Sequence, residues 1–179
     1  INEDESKNRL KGDFLKTYCA FCKTGSENIA RQLIDRVNRN VKTIVPVRVL
    51  QEKRKGVWIQ REYALLPGYV FIYLEDDACT ELMTKFLEVY RVLQYGLGFR
   101  ELAGMDFEYA MWIYRHQGVI TTSKVLAEGK EVKVIEGPLL DALGTIIKLD
   151  KHKRKVWVEF DFDGQRRVVS LSAECVSAE

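Results

Sequence analysis

Cys19 and Cys22 form a Cys-x-x-Cys pair, a spacing that can do chemistry. Such a pair chelates zinc when a second pair of ligands joins it, or exchanges thiols from the start of a helix. The sequence offers neither context. No second Cys-x-x-Cys or His-x-x-x-His follows, and the pair lies inside an apolar, β-prone run, LKTYCAFC (15–22). Residues three apart in a strand point to opposite faces, so the two sulfurs are expected to diverge. Cys79 and Cys175 are isolated, and His116 and His152 stand in polar stretches where solvation is expected. There is no nucleophile elbow, phosphate loop, dinucleotide fingerprint or zincin helix. The expectation is a protein without catalytic residues, metal or cofactor.

Charge and apolar surface are the remaining resources. Two short basic clusters occur, EKRKG (52–56) and DKHKRK (150–155). The bland reading of each is a solvated turn. As hairpin tips, however, they can reach phosphates. If 156–162 pairs with 165–171, then Lys151, His152, Lys153, Arg154 and Lys155 lie opposite Arg166 and Arg167, and the donors are expected to gather into an RNA-binding surface. Residues 128–179 carry nine Lys and Arg against ten Asp and Glu, so binding there must come from asymmetry and not from bulk charge. Trp157 fits a base-stacking role or the core. In the first half, Phe21, Leu66, Pro67, Tyr69, Phe71 and Tyr73 make an apolar excess around LPGYVF. Most belong in a core, and a solvent-facing subset would be a partner-binding patch.

The positioning elements follow from periodicity. Residues 15–22 read as a strand, and TGSENIARQLIDRVNRN as a helix capped by Ser26, with Ile29, Ala30, Leu33, Ile34 and Val37 on its inner face and Asn40 as its stop. TIVPVRVL (43–50) and VWIQREYAL (57–65) read as strands of a hairpin with a basic tip, Pro46 marking an edge or bulge. A buried strand YVFIYL (69–74) follows the LPG break. Then come a helix over 77–89 with Leu82, Met83, Phe86 and Leu87 inward, a strand YRVLQY, and a helix over 106–118 capped by Asp106. The resulting order is β-α-β-β-β-α-β-α, an α+β arrangement of helices against a mainly antiparallel sheet. After VITTSKVLA the pattern becomes short alternating strands around Val132/Val134, Ile146/Leu149, Val156/Val158/Phe160 and Val168/Val169/Leu171, with a strong Asp-Gly hairpin cue. That suggests a small barrel.

The chain has 179 residues, 46% hydrophobic and 30% charged, with a net charge of +2 from 28 basic and 26 acidic side chains. Disorder and low-complexity readings are excluded, one or two domains fit, and no apolar run is long enough for a membrane helix. The polar start lacks a secretory h-region. A cytoplasmic location with reduced thiols is therefore expected.

The segments LKTYCAFCKTGSE, PVRV, ALLPGYVFIYL and VKVIEGPLLDALGTI (132–146) resemble, in order, the NusG family of bacterial transcription elongation factors, the last resembling a KOW motif. The resemblance spans about residues 15–179. It implies a flexible leader (1–14), an N-terminal NGN domain (15–115), a linker (116–127) and a five-stranded KOW β-barrel (128–179). It also implies binding to the clamp helices of RNA polymerase through Phe21, Leu66, Pro67 and Phe71, with Tyr69 nearby, and suppression of pausing without covalent chemistry. Leu66 departs from the family pattern, where an aromatic is usual. The insert-free first domain, the EGPL segment and the basic loop look most like the specialised LoaP-type antiterminators. That likeness implies a KOW domain that binds a nascent leader RNA hairpin through the 151–155 loop and Arg166 and Arg167. The rival reading is a housekeeping-type adaptor whose KOW domain binds a ribosomal protein or termination factor. Non-template DNA is a further partner that the NGN domain would admit. The glycines and Pro138 in 128–179 argue against an RfaH-type helical refolding of that domain.

Overall fold

A computed structural model describes residues 15–129 and 131–176. The expected leader, 1–14, lies outside the described residues. The chain forms two compact units that do not follow chain order. The first takes the described part of Ile1–Val45 with Pro67–Met111, and the second takes Pro46–Leu66 with the described part of Trp112–Glu179.

The first unit is built on a four-stranded antiparallel sheet in the order β2-β5-β1-β6, formed by β1 (Lys16–Cys22), β2 (Lys42–Ile44), β5 (Tyr69–Leu74) and β6 (Val89–Val92). Strand β5 carries six apolar or aromatic residues without alternation, and all six are buried. One face packs on helix α1 (Glu27–Val37), whose Ala30 and Ile34 are fully buried against Val70, Ile72 and Met83. Ile29, expected on that face, is half exposed. Ser26 sits at the N-cap but makes no side-chain cap bond. Glu27 instead ties the helix start to its surroundings, with its carboxylate accepting from the backbone N–H of Gly25 (2.7 Å) and of Gly68 (2.8 Å). The helix ends before Asn40, where Asn38 donates to the carbonyl of Ile34 at 2.8 Å.

The expected helix over 77–89 shrinks to a single turn, α2 (Thr80–Met83). Met83 and Phe86 do turn inward, whereas Leu82 and Leu87 face out. A helix of this length gains too few backbone bonds to hold itself, and only Met83 anchors it fully. Helix α3 (Gly104–Arg115) starts two residues ahead of the expected cap. Asp106 lies in its first turn and accepts from the Tyr95 hydroxyl at 2.6 Å.

Pro46 separates β2 from β3 (Val47–Arg54), which with β4 (Val57–Ala64) forms the expected hairpin. The proline has no N–H to offer a ladder, and the chain changes sheet there. The hairpin belongs to a separate three-stranded sheet, β4-β3-β7, in the second unit. Strand β7 (Val119–Ile120) pairs parallel with β3, and β8 (Ser123–Glu128) follows it. The segment expected to be a linker is therefore largely strand. Its shortage of polar alternation reflects burial of Ile120 and Val125.

The remaining strands are β9 (Glu131–Glu136), β10 (Thr145–Asp150), β11 (Lys155–Phe162) and β12 (Gln165–Cys175). They complete a five-stranded sheet, β10-β11-β12-β8-β9, in which β12 and β8 run parallel. Four of its strands match the alternation in the sequence, and the fifth is β8. Among the described residues no ladder joins the edge strands β9 and β10, so this is an open five-stranded sheet and not a barrel closed by hydrogen bonds.

Beside this sheet the 3-10 turn Pro138–Asp141 is held by the end of α3. Trp112 Nε1 donates to the Pro138 carbonyl (2.9 Å), Arg115 Nε donates to Asp141 (3.0 Å), and His116 Nε2 meets the same carboxylate at 2.8 Å. His116 is thus paired and not simply solvated. Burial opposes the charge on Asp141, but the bonds from His116 and Arg115 prevail and hold its carboxyl below the usual range.

Gly144 has φ +111, and a Cβ there would lie 2.4 Å from the backbone oxygen of Glu159. Gly164, at the β11–β12 turn, has φ +66 and open space around it. Gly144→Ala is therefore expected to destabilise by more than ~1 kcal/mol, and Gly164→Ala by about 1 kcal/mol or less. Urea unfolding of both variants checks the order.

Candidate functional site

Two surfaces contain the residues that the sequence singled out. The first surrounds Phe21, in β1. The turn after β4 places Gly68 against β1, where its carbonyl accepts from Cys22 N–H at 2.6 Å. Gly68 has φ +87, and a Cβ there would come within 2.9 Å of Phe21 Cε2. The bare glycine thus lets the Phe21 ring lie on the turn backbone. Tyr69 packs against the same ring at a centroid distance of 5.0 Å.

The burial of the expected contact residues divides them. Phe21 is partly exposed and Pro67 is exposed. Leu66, Tyr69 and Phe71 are buried, Phe71 completely. Two residues not singled out in the sequence complete the surface. Strand β6 pairs with β1 so that Arg91 stands opposite Phe21. The Arg91 guanidinium lies 5.6 Å above the ring, and the exposed Tyr90 packs 5.7 Å from it. Their partner strand lies some seventy residues away along the chain, so no local periodicity reports this pairing.

The second surface is basic. Strands β11 and β12 pair as expected, in a register that sets Lys155 opposite Ser172 and Asp161 opposite Arg166. Arg166 and Arg167 therefore sit at the far end of the ladder from the 151–155 loop, about 20 Å away at ~3.3 Å per residue. The expected gathering of all these donors does not occur, because an antiparallel hairpin brings residues near its turn to the end opposite its open termini. Arg166 lies 3.8 Å from Glu159, and Arg167 Nε donates to the Phe162 carbonyl at 3.2 Å.

Lys151, His152 and Lys153 are exposed on the loop, with Lys155 partly so. The loop is shaped by Asp150, whose carboxylate accepts from Lys153 N–H at 2.9 Å. That bond holds the Asp150 carboxyl below the usual range. Arg154 turns away from the others. Its guanidinium donates to Gln51 Oε1 at 2.7 Å and stacks 4.2 Å from the Trp58 ring centroid, both groups on the β3–β4 hairpin. Trp157 is partly buried and carries Lys148 4.7 Å from its ring centroid. Glu52 accepts from the Tyr63 hydroxyl and is held below its usual range by that bond, helped by the charges of Arg54, Arg61 and Lys155.

The cysteines form no site. Cys19 and Cys22 form no disulfide and are fully buried, and only Cys22 joins the cluster under α1. Burial first, then the charges of Glu27 and Glu88, push the Cys22 thiol up to about 12. No group of three or more His, Cys, Asp and Glu suited to a metal occurs among the described residues. No helix there is long and apolar enough to cross a membrane.

Residues 16–104 match the family model described as NusG, transcription termination factor nusG. A solved structure of Thermotoga maritima NusG, described as a study of domain interaction, is similar with a TM-score of 0.57 and 20% identity, over 90% of this chain and 95% of that one. At that identity the likeness concerns the fold. No curated protein matches the chain.

Thiol chemistry should follow burial. In the folded protein at pH 8 a disulfide reagent is expected to modify Cys79 rapidly and to leave Cys19 and Cys22 untouched until denaturant is added. Mass mapping of the modified cysteines checks this.

Proposed function

We propose that the chain is a specialised antitermination factor of the NusG family, whose model matches residues 16–104. In this reading an NGN domain (15–115) binds the clamp helices of bacterial RNA polymerase and suppresses pausing and termination. A KOW domain (128–179), built on the open five-stranded sheet that β8 of the preceding segment completes, binds a hairpin in the nascent leader RNA. The NGN domain would also lie near non-template DNA, and the protein would act in the cytoplasm without a cofactor.

The observation that carries the polymerase reading is the Phe21 surface. Phe21, Pro67 and Tyr90 are accessible groups at one end of the first unit's sheet, inside the segment that matches the family. Tyr69 and Phe71 are buried in the same unit and would act by fixing the ring and the backbone under that surface, and Leu66 is buried as well. Aromatic anchors of this kind dominate binding energy when a partner desolvates them. RNA would meet Lys151, His152, Lys153 and Lys155 on the loop, with Arg154 beside them. A stem lying along the β11–β12 ladder would reach Arg166 and Arg167 as well.

A protein partner for the KOW domain, such as a ribosomal protein, is the second reading. It is favoured by the exposed Ile135, Ile147 and Val168 and by the near-balance of charge over 128–179.

The test is binding to the isolated clamp-helix segment of bacterial RNA polymerase by calorimetry. Phe21→Ala is expected to weaken binding at least tenfold, about 1.4 kcal/mol. Gly68→Ala should weaken it too, because the new methyl displaces the Phe21 ring. Equal affinity of wild type and Phe21→Ala would remove the assignment.

A further inference from the structure

The basic tip of the β3–β4 hairpin lies in the same compact unit as the 151–155 loop, and Arg154 joins the two. We propose that the hairpin tip is the second half of the RNA site, so that Lys53 and Lys55 hold the phosphate backbone of the same RNA that Lys151 and Lys153 hold. This inference rests on the reading of the loop as an RNA-binding element. It adds residues from the first half of the chain and removes Arg154 from the set of RNA contacts.

The joint is specific. Arg154 donates to Gln51 at 2.7 Å and stacks on Trp58 at 4.2 Å, while Glu174 lies 3.8 Å from the same guanidinium. Lys53 Nζ lies 6.0 Å from the centroid of that same indole, so a cation from each tip addresses one ring. Deeper contacts hold the hairpin in place. Arg48 Nη1 donates to the carbonyl (2.6 Å) and hydroxyl (3.0 Å) of Ser170, and Gln51 Nε2 donates to Thr122 at 3.3 Å. Arg154 is thus a positioning residue, with its Nη1 bound to the hairpin and its guanidinium stacked on Trp58.

The arrangement costs electrostatic energy in the free protein. Two exposed basic tips meet through one ring, with Arg154 4.2 Å and Lys53 6.0 Å from the Trp58 centroid, and like charges on one surface repel. The nearby acids are engaged: Glu52 with Tyr63 and Arg54, Asp150 with the backbone of Lys153, and Glu174 with Arg154. Lys53, Lys55, Lys151 and Lys153 remain exposed. A linear polyanion relieves that repulsion at several points at once and releases its own counterions. With cations placed against its ring, Trp58 is not available as a base-stacking platform. The hairpin half therefore contacts phosphates and contributes affinity and register, leaving base discrimination to the loop.

The experiment measures anisotropy of a fluorescein-labelled RNA stem-loop, titrated with full-length protein at several salt concentrations. Three proteins are compared: wild type, Lys53→Gln with Lys55→Gln, and Lys151→Gln with Lys153→Gln. The hairpin variant is expected to bind about tenfold more weakly, with a slope of log affinity against log salt shallower by about 1.5, as for two lost phosphate contacts. All four positions are exposed, and circular dichroism confirms that both variants stay folded. If the loop variant loses affinity and the hairpin variant matches wild type in affinity and slope, the composite site is overturned and the loop reading stands. If wild type does not bind, or neither variant changes binding, the RNA reading fails and the composite site falls with it.

Discussion

Burial of β5 on both faces is the constraint from which the first unit follows. Its run YVFIYL has no polar alternation, so a sheet with one wet face would expose three large side chains. β1 and β2 flank it, and Ala30 and Ile34 of α1 close one side. A buried strand must also satisfy its backbone polar groups, and β5 does so by pairing with β1 over six residues on one side and with β2 over three on the other. The buried cysteines are casualties of the same requirement: Cys19 and Cys22 fill volume inside β1 and lose any access to solvent.

The chain enters β5 through a turn that the ladder forces close to β1, and this links core to surface. Cys22 N–H and the Glu27 carboxylate both bind Gly68 there. No side chain fits between that turn and Phe21. The glycine in the PGYVF segment therefore has a steric cause, and the placement of Phe21 on the surface is a by-product of core packing. Arg91 and Tyr90 reach the ring because β6 pairs with the opposite edge of β1.

The second unit shows how a single proline and a single arginine redistribute charge. Pro46 ends β2, and β3 continues in another sheet, where Arg48 and Gln51 bind residues more than seventy positions away. Arg154 then draws two basic segments together that are about a hundred residues apart in the chain. Meanwhile the β11–β12 register separates Arg166 and Arg167 from the loop they were expected to join. Charge clusters in sequence and charge clusters in space are thus different sets in this protein.

Sequence by itself determined the elements whose signals are local. The alternation of β9 to β12, the unbroken apolar run of β5, the amphipathic face of α1 and the Asp-Gly turn each follow from period and turn chemistry within a dozen residues. The motif glycines and the exposed basic tips were legible for the same reason. Tertiary structure decided what depends on pairing across long separations. It shortened the helix at 80–83, because only Met83 found a fully buried place, and it turned the expected linker into β7 and β8, because β3 and β12 offered free edges. It also chose which of Phe21, Leu66, Pro67, Tyr69 and Phe71 stay accessible. A side chain's type and spacing fix what chemistry it can do. Its neighbours, set by strand register and by the entropy-limited choice of distant partners, fix whether it meets solvent at all.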